Sequence, residues 1–344
     1  MRANGIAARS RHTQRAETQE NREQMLSIEE ILSVGCEEDF ARAALELFAF
    51  QARECAPYRE YLSLMGLDPS RVERVEQIPF LPIALFRSHK VYCGPHEPEI
   101  VFTSSSTGGD EPSRHHMAFE QDYRETFRRA FSLFYPGRWS IYALLPNYLQ
   151  REGSSLVYMV DCLVRTGGGG FWLDDVAQMI EQIGRDPRPK IVLGVSYALW
   201  EMAERHQVRM GPGVVVMETG GMKGRREELP REEFHRLLCK AFGVDRIASE
   251  YGMAELSSQA YSSGDGIFRA PPWMRVLIRD AADPLSMLGV GRSGGVNIID
   301  LANRYSCAFI QTDDLGRAHP DGSFEILGRA DKSVIRGCNL LVER

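Results

Sequence analysis

Apolar side chains recur every three or four positions over residues 38–61, with polar side chains between them. This spacing predicts one amphipathic helix, because residues three and four apart share a helix face. Just before it, Ser27 is followed three residues later by Glu30, the pattern of a helix start with a capping box. Residues 78–82, Ile-Pro-Phe-Leu-Pro, predict extended backbone, because proline cannot continue a helix.

The middle of the chain alternates short apolar runs with longer amphipathic segments. The apolar runs predict strands at 100–103, 141–145, 191–195, 214–217 and 247–250. The amphipathic segments predict helices near 119–134, 154–165, 174–184, 196–206 and 230–242. Strands that alternate with helices form βα units, so we expect a mostly parallel sheet flanked by helices. The one low-complexity tract is a glycine run at 167–170.

The pattern changes near residue 260, where long helices cease and strands are separated by Gly, Asp and Pro turns. The apolar runs there predict strands at 275–279, 295–299, 308–311 and 323–327. We therefore expect an α/β fold with a mostly parallel sheet and a smaller β-rich subdomain. The predicted organisation is a disordered leader over 1–26, an α/β core over 27–260, and a β-rich subdomain with a C-terminal tail over 261–344.

Composition narrows the class of protein. Of the 344 residues 43% are hydrophobic and 26% charged, and the formal net charge is −6. This gives no electrostatic reason to expect nucleic-acid binding. No apolar run approaches the roughly 18 residues that a membrane span needs, so we expect no membrane insertion. Seven scattered cysteines without a CxxC pair predict reduced thiols in a cytoplasm and no structural metal.

A loop rich in hydroxyls and glycine follows the first predicted strand and ends near a base, Arg114. Hydroxyls and free backbone N–H groups suit anionic oxygens, and glycine lets the backbone approach them closely. The loop therefore predicts a phosphate site, although by composition alone a solvated turn is the commoner structure. Its candidate phosphate-binding residues are Thr103, Ser104, Ser105, Ser106, Thr107 and Gly108.

Three later segments carry groups that suit a nucleotide. Glu250, Tyr251 and Gly252 follow a predicted strand, and Glu255 comes shortly after them. A tyrosine next to glycine can stack a purine, and a carboxylate such as Glu255 can hold Mg²⁺. Further on, the segments 312–317 and 328–331 supply an aspartate for a ribose diol and an arginine for phosphate or ribose oxygens. Each segment alone also fits an ordinary strand end or turn.

The order of these segments resembles the adenylate-forming superfamily of acyl-CoA ligases, peptide-synthetase adenylation domains and luciferases. The resemblance runs from about residue 78 to the C-terminus and is greatest to the LuxE-type acyl-protein synthetases, relatives of phenylacetate-CoA ligases. The segments that carry it are Ile-Pro-Phe-Leu-Pro at 78–82, Glu-Thr-Gly-Gly-Met-Lys-Gly at 218–224, Thr-Asp-Asp-Leu-Gly at 312–316, and Ile-Arg-Gly-Cys-Asn-Leu at 335–340.

The resemblance implies the N-terminal domain type of adenylate-forming ligases, without the C-terminal lid domain, and the cofactors ATP and Mg²⁺. It implies that residues 104–108 bind the phosphates, that Tyr251 packs on adenine, and that Glu255 places Mg²⁺. By the same resemblance Gly220, Gly221 and Met222 line the adenine and acyl pockets, Asp314 binds the ribose with Arg329 nearby, and Asp331 lies at the hinge. Three residues depart from the family pattern: Ser105 for glycine, Arg114 for lysine, and Ala254 for threonine.

The resemblance also implies an acyl acceptor. LuxE-type proteins are acylated on a cysteine near the C-terminus, and Cys338 lies six residues from the end of this sequence. A thiolate is a strong nucleophile toward an acyl-adenylate. We therefore expect a carboxylic acid of the fatty-acid class to be activated and passed to Cys338 as a thioester. The expected catalytic residues are Cys338, Glu255 and Arg114, and the expected partner is an acyl-accepting reductase or a carrier protein.

Three alternatives remain open from the sequence. One is an acyl-AMP ligase that transfers the acyl group to CoA or a carrier protein. The second is a serine hydrolase, because Gly-Val-Ser-Tyr-Ala at 194–198 follows a predicted strand and precedes a helix, as a nucleophile elbow does. Its nucleophile is Ser196, with His206, His235 or His319 as base. The third is a non-catalytic binding module, suggested by the departures at Ser105, Arg114 and Ala254.

Overall fold

The computed structural model describes residues 25–105, 111–146, 153–206, 208–220 and 229–329. Within these ranges the chain forms nine α-helices, two short 3₁₀ turns and fourteen strands. The helices are α1 (Ile28–Leu32), α2 (Glu37–Glu54), α3 (Ala56–Leu64), α4 (Leu85–Ser88), α5 (Glu120–Phe134), α6 (Ser155–Gly167), α7 (Val176–Arg185), α8 (Ser196–Arg205) and α9 (Arg231–Phe242).

The strands divide into two groups along the chain. The first nine are β1 (Leu81–Pro82), β2 (Ile100–Thr103), β3 (Arg114–Met117), β4 (Ser140–Leu144), β5 (Gly169–Phe171), β6 (Lys190–Val195), β7 (Val214–Thr219), β8 (Ala248–Tyr251) and β9 (Ala260–Ser262). The last five are β10 (Ile267–Phe268), β11 (Met274–Arg279), β12 (Ser293–Asp300), β13 (Phe309–Ala318) and β14 (Phe324–Arg329).

The predicted parallel sheet is confirmed. Its strand order is β5-β4-β6-β7-β8-β9, and every neighbouring pair is parallel except β8 and β9. Strands β4 and β6 are buried along their whole length, as expected for strands covered by helices on both faces. Helices α6 to α9 connect consecutive strands of this sheet, so the carboxyl ends of β6, β7 and β8 meet at one edge.

The second sheet is mainly antiparallel, in the order β10-β14-β13-β12-β11, and β1 pairs with β13 in parallel. The predicted β-rich region is therefore confirmed, as is the extended backbone at 78–82. The change from one sheet to the other falls between Ser262 and Ile267. The domain boundary at residue 260 stays a prediction, because α2 and α3 share a core with the second sheet: Phe48 and Tyr58 both pack on Phe309 of β13.

The helix predicted over 38–61 is two helices. The chain leaves helical geometry at Cys55, where ψ is 101°, and Pro57 stands in the first turn of α3. Proline has no backbone N–H and disfavours helical geometry in the residues before it, so α2 ends and α3 begins there. At the start of the described chain, the predicted capping box is present: the Glu30 backbone N–H donates to Ser27 Oγ, and the Ser27 N–H donates to the Glu30 carboxylate.

One buried side chain, Gln51 of α2, joins the N-terminal helices to the second sheet. Its amide nitrogen donates to the carbonyl oxygens of Asn303 and Arg304, at 2.7 and 3.0 Å, and its amide oxygen accepts from the N–H of Ala308 at 2.9 Å. All three partners lie in the connection from β12 to β13. Because a buried backbone group without a partner is costly, Gln51 stabilises that connection as well as the helix contact.

The helices of the described chain include none that is long and apolar enough to cross a lipid bilayer.

Replacing Gln51 by methionine tests this contact. The Gln51→Met variant keeps the length of the side chain but leaves three buried backbone groups unpaired, so we expect it to lower the free energy of unfolding by about 3 kcal/mol. Urea unfolding measures the change. Glu46→Met, on the exposed face of the same helix, is the matched control and should change stability by less than about 0.5 kcal/mol. Equal effects of the two substitutions would contradict the role given to Gln51.

Candidate functional site

The candidate site lies at the carboxyl edge of the parallel sheet. Ser196, Gly220 and Gly252 directly follow strands β6, β7 and β8 at this edge. In open α/β sheets, ligands bind in the crevice outside the carboxyl ends of the strands. The second sheet adds its own residues here, because β13 and β14 bring Asp314 and Arg329 to the same place.

Tyr251 joins the two sheets at the site. Its hydroxyl donates to the Asp314 carboxylate at 2.7 Å, and Arg329 Nε lies 3.5 Å from the other Asp314 oxygen. Asp314 and Arg329 are paired in the register of β13 and β14. The Tyr251 ring packs against Phe268 and Phe324, which stack on each other. Three residues predicted to contact the adenosine part of a nucleotide are thus neighbours: Tyr251, Asp314 and Arg329.

Glu250 lies one residue before Tyr251 and is buried. It accepts a short hydrogen bond from the hydroxyl of Thr219 on the neighbouring strand β7. Burial raises the pKa of the Glu250 carboxyl to about 7, and the nearby Glu218 charge adds to the rise. A β-carbon at Gly252 would stand 2.5 Å from a Glu250 carboxylate oxygen, so a larger residue there would require the Glu250 side chain to move.

The loop after Gly252 holds Glu255 in a buried position. The Asn303 side-chain amide donates to the Glu255 carbonyl oxygen at 2.8 Å. His115 of β3 bonds the Ala254 carbonyl through Nδ1 and Ser306 Oγ through Nε2, both at 2.9 Å. Burial lowers the pKa of His115 to about 4, so the ring is neutral at physiological pH and donates from Nδ1. The loop is therefore fixed from β3 and from the connection after β12.

Burial also raises the pKa of the Glu255 carboxyl, while the Ser113 hydroxyl and the Arg329 charge oppose the rise. Glu255 is the one residue predicted to bind Mg²⁺. The described residues contain no group of three or more His, Cys, Asp or Glu side chains arranged to hold a metal. A single carboxylate fits Mg²⁺ all the same, because this ion is usually bound by one or two carboxylates together with substrate phosphates.

The beginning of the predicted phosphate loop lies beside the sheet edge. Thr103 ends β2, faces Arg114 across the β2–β3 pair, and donates its N–H to the Gly153 carbonyl at 2.7 Å. The hydroxyl of Ser104 accepts from the Ser113 N–H at 3.0 Å. Ser105 and Arg114 are exposed. The other predicted residues, Ser106, Thr107, Gly108, Gly221, Met222, Asp331 and Cys338, lie outside the described ranges.

A buried polar group was not predicted from the sequence. Glu218 of β7 is 5% exposed, and its carboxylate accepts from the hydroxyls of Ser196 and Ser249 at 3.0 and 2.9 Å. His235 Nε2 lies 3.4 Å from the same carboxylate. The apolar pattern of the strands could not predict the contacts of Glu218, because its partners come from three separate elements of the chain.

The geometry around Ser196 argues against the serine hydrolase. Its hydroxyl contacts the Glu218 carboxylate and the Gly220 carbonyl, at 3.0 and 2.9 Å. A hydrolase needs a histidine that accepts the serine proton, and in the part of the chain that the structure describes no histidine is hydrogen-bonded to Ser196. His235 contacts Glu218 and not the serine, and His319 pairs with Glu325 in the second sheet.

A separate cavity of about 550 Å³ is lined by other residues of the described chain. It lies between α1, the start of α5 and the connection after β12, and is lined by Met25, Ile28, Glu29, Asp122, Glu125, Arg304 and other residues. None of the residues predicted for ATP or Mg²⁺ lines it. The nucleotide groups named above therefore belong to the sheet edge and not to this cavity.

Comparison with known proteins shows which families the chain is similar to. The family model described as "Acyl-protein synthetase, LuxE" matches residues 196–344. The chain is 25% identical over 317 residues to the long-chain-fatty-acid--luciferin-component ligase of Vibrio harveyi, covering 82% of each protein. Residues 196–344 of the chain are thus similar to LuxE-type acyl-protein synthetases. The resemblance seen in the motif series is thereby confirmed, and so is the prediction of a ligase.

Solved structures confirm the predicted fold of the chain. An open form of 2-hydroxyisobutyryl-CoA ligase, bound to its acyl-AMP and CoA, matches with a TM-score of 0.65 and 15% identity, over 86% of this chain and 75% of that one. Apo MatB from Rhodopseudomonas palustris matches with a TM-score of 0.51 and 15% identity. This match covers 67% of the chain, which spans about half the length of MatB. The fold is that of adenylate-forming ligases.

The buried Glu250 predicts a pH dependence of stability. Its ordinary pKa is 4.5 and its folded-state pKa about 7, so the folded protein favours the protonated form. The contribution of Glu250 to the free energy of unfolding is therefore fully present below pH 4.5. It is lost as the pH rises through 7. The difference corresponds to about 3 kcal/mol. We expect the free energy of unfolding of the wild type to fall by about this amount relative to Glu250→Gln over that range.

Urea unfolding of both proteins at several pH values measures the effect. The exposed Glu233 supplies the control, because Glu233→Gln should follow the wild type at every pH. A constant difference between wild type and Glu250→Gln from pH 4 to pH 8 would show that Glu250 does not titrate as described.

Proposed function

We propose that this chain uses ATP to activate a carboxylic acid as an acyl-adenylate. The substrate carboxylate attacks the α-phosphorus of ATP, the bond to the β-phosphate oxygen breaks, and pyrophosphate leaves. The observation that carries the proposal is the convergence of Tyr251, Asp314 and Arg329 beside buried Glu255, at the carboxyl edge of the sheet. The family match and the fold of the structural relatives support it.

Each residue has a role that its position supports. Asp314 carries a carboxylate that accepts hydrogen bonds, so it suits the two ribose hydroxyls, and Tyr251 supplies an aromatic face for adenine. Arg329 is largely exposed and free to turn toward phosphate or ribose oxygens. Glu255 would hold Mg²⁺, which neutralises phosphate charge when bound. Thr103, Ser104 and Arg114 stand where the predicted phosphate loop begins and ends.

The name of the Vibrio harveyi relative suggests the substrate class. That protein is named a ligase of long-chain fatty acids and a luciferin component. We propose a fatty acid as the carboxylic acid here, with Phe171, Trp172 and Met222 as candidate pocket residues. An acyl-accepting reductase or a carrier protein is the partner that we propose to receive the activated acyl group.

Asp314 allows a direct test of adenylation. Acid-dependent exchange between ATP and labelled pyrophosphate should occur with the wild type. In Asp314→Asn the side chain loses its charge and one of its acceptor oxygens, so we expect KM for ATP to rise about tenfold or more, with a smaller change in KM for the acid. Asp313→Asn is the matched control, because Asp313 is the exposed neighbour on the same strand. No exchange with any acid in a panel of different chain lengths would refute the proposal.

For the second half-reaction we propose that the Cys338 thiolate accepts the acyl group. The sulfur attacks the carbonyl carbon of the mixed anhydride, the bond to the AMP oxygen breaks, and a thioester forms with AMP as leaving group. Cys338 lies within the residues that match the family model. The acyl group of the same adenylate could instead be transferred to CoA or to a carrier protein. These acceptors differ from Cys338 in the result expected for a Cys338 variant.

Intact-mass measurement separates these acceptors. After incubation with ATP, Mg²⁺ and a labelled fatty acid, the wild type should gain one acyl group that hydroxylamine removes, and Cys338→Ser should gain none. Cys36→Ser removes an exposed thiol elsewhere and should behave like the wild type. Pyrophosphate release without an adduct would leave adenylation standing and favour transfer to CoA or a carrier protein.

A further inference from the structure

Ser196 lies where a hydrolase would have its nucleophile, but its contacts are those of a residue that holds neighbouring backbone in position. The side chain is 4% exposed, at the first residue of α8. Its hydroxyl lies 2.9 Å from the carbonyl oxygen of Gly220 and 3.0 Å from the Glu218 carboxylate. Ser196 therefore links the start of a helix to both sides of Thr219, at the end of the neighbouring strand β7.

Glu218 is the centre of this link. Besides Ser196 it contacts Ser249 of β8 and His235 of α9, and Arg231 Nη1 lies 3.9 Å away. Burial alone would raise the pKa of Glu218, but the His235 hydrogen bond and the Arg231 charge bring it below its ordinary value. The carboxylate is thus ionised and held by contacts from α8, α9 and β8.

The strand register connects this cluster to the candidate nucleotide site. Glu218 pairs with Ser249, and Thr219 pairs with Glu250, which precedes Tyr251. Neighbouring residues of a strand point to opposite faces, so the Glu218 contacts lie on one face and the Thr219–Glu250 contact on the other. Gly220 follows directly, with a φ of +67° that favours glycine. Its carbonyl oxygen lies 2.9 Å from the Ser196 hydroxyl, which shares its one proton between this oxygen and the Glu218 carboxylate.

We propose that Ser196, acting with Glu218, is a positioning residue for the nucleotide. Its hydroxyl fixes the carbonyl of Gly220, a residue that, on the function proposed above, lines adenine. The alternative is a polar cluster that stabilises the sheet and has no effect on nucleotide binding. Removing the Ser196 hydroxyl distinguishes the two roles. A positioning residue would lower the affinity for ATP when it is lost, whereas a purely structural residue would lower only the folding stability.

The test compares Ser196→Ala with Ser262→Ala. Ser262 is a buried serine of the same sheet whose hydroxyl also donates to a glycine carbonyl, that of Gly264, at 2.6 Å, and is bonded to Gly264 instead of Glu218 or Gly220. We expect Ser196→Ala to raise KM for ATP about tenfold in pyrophosphate exchange, with KM for the acid changed less than twofold. Ser262→Ala should leave both KM values unchanged. Ser196→Thr, which keeps a hydroxyl, should restore much of the ATP affinity.

Calorimetric titration with ATP in the absence of acid keeps this proposal separate from the proposed function. If the wild type shows no exchange but binds ATP, and Ser196→Ala binds it more weakly, adenylation fails and the positioning role stands. The positioning role is overturned if Ser196→Ala affects ATP and acid equally, if it resembles Ser262→Ala, or if the wild type binds no ATP. Labelling of Ser196 by a fluorophosphonate probe would also overturn it, because that result makes the serine a nucleophile.

Discussion

A buried carboxylate, Asp300 at the end of β12, holds the two sheets in the relation that the candidate site needs. It is fully buried and accepts hydrogen bonds from the backbone N–H groups of Ser257 and Ser258 and from the Ser258 hydroxyl, all within 2.9 Å. The Ala302 N–H is a fourth donor, at 3.2 Å. A buried carboxyl group without hydrogen bonds is very costly, so these donors stabilise Asp300 in its position. The loop after β8 is therefore tied to the second sheet.

The site depends on this connection because its parts come from both sheets. Tyr251 ends a strand of the parallel sheet, whereas Asp314 and Arg329 belong to the antiparallel one. The hydrogen bond from Tyr251 to Asp314 forms only if the loop between β8 and β9 returns along the second sheet. A ligand that binds Asp314 through its ribose competes with the Tyr251 hydroxyl for the same oxygens, so nucleotide binding requires the tyrosine to give up or share this bond.

The order of strands and helices could be predicted because each element carries its own signal: apolar runs in β4 and β6, and a capping box at Ser27. Strand β5 was missed because it lies in the glycine run, where a β-carbon at Gly169 would stand 2.0 Å from the Ile141 carbonyl oxygen. Tyr251 and Asp314 were each expected at a nucleotide site, but the hydrogen bond between them was not predicted. The Glu218 cluster could not be foreseen, because its contacts depend on how α8 and α9 pack.

The sequence Gly-Val-Ser-Tyr-Ala shows that a local motif can predict the position of a residue without predicting its reactivity. A strand, a turn and a helix place Ser196 at the carboxyl edge of a parallel sheet, as in a hydrolase. The reactivity of the serine then depends on the group that accepts its proton. Here the acceptors are the Gly220 carbonyl and Glu218, whose pKa is lowered. A carboxylate with a lowered pKa is a weak base, and a carbonyl takes no proton at all. The contacts of Ser196 at this edge therefore argue against a nucleophilic role.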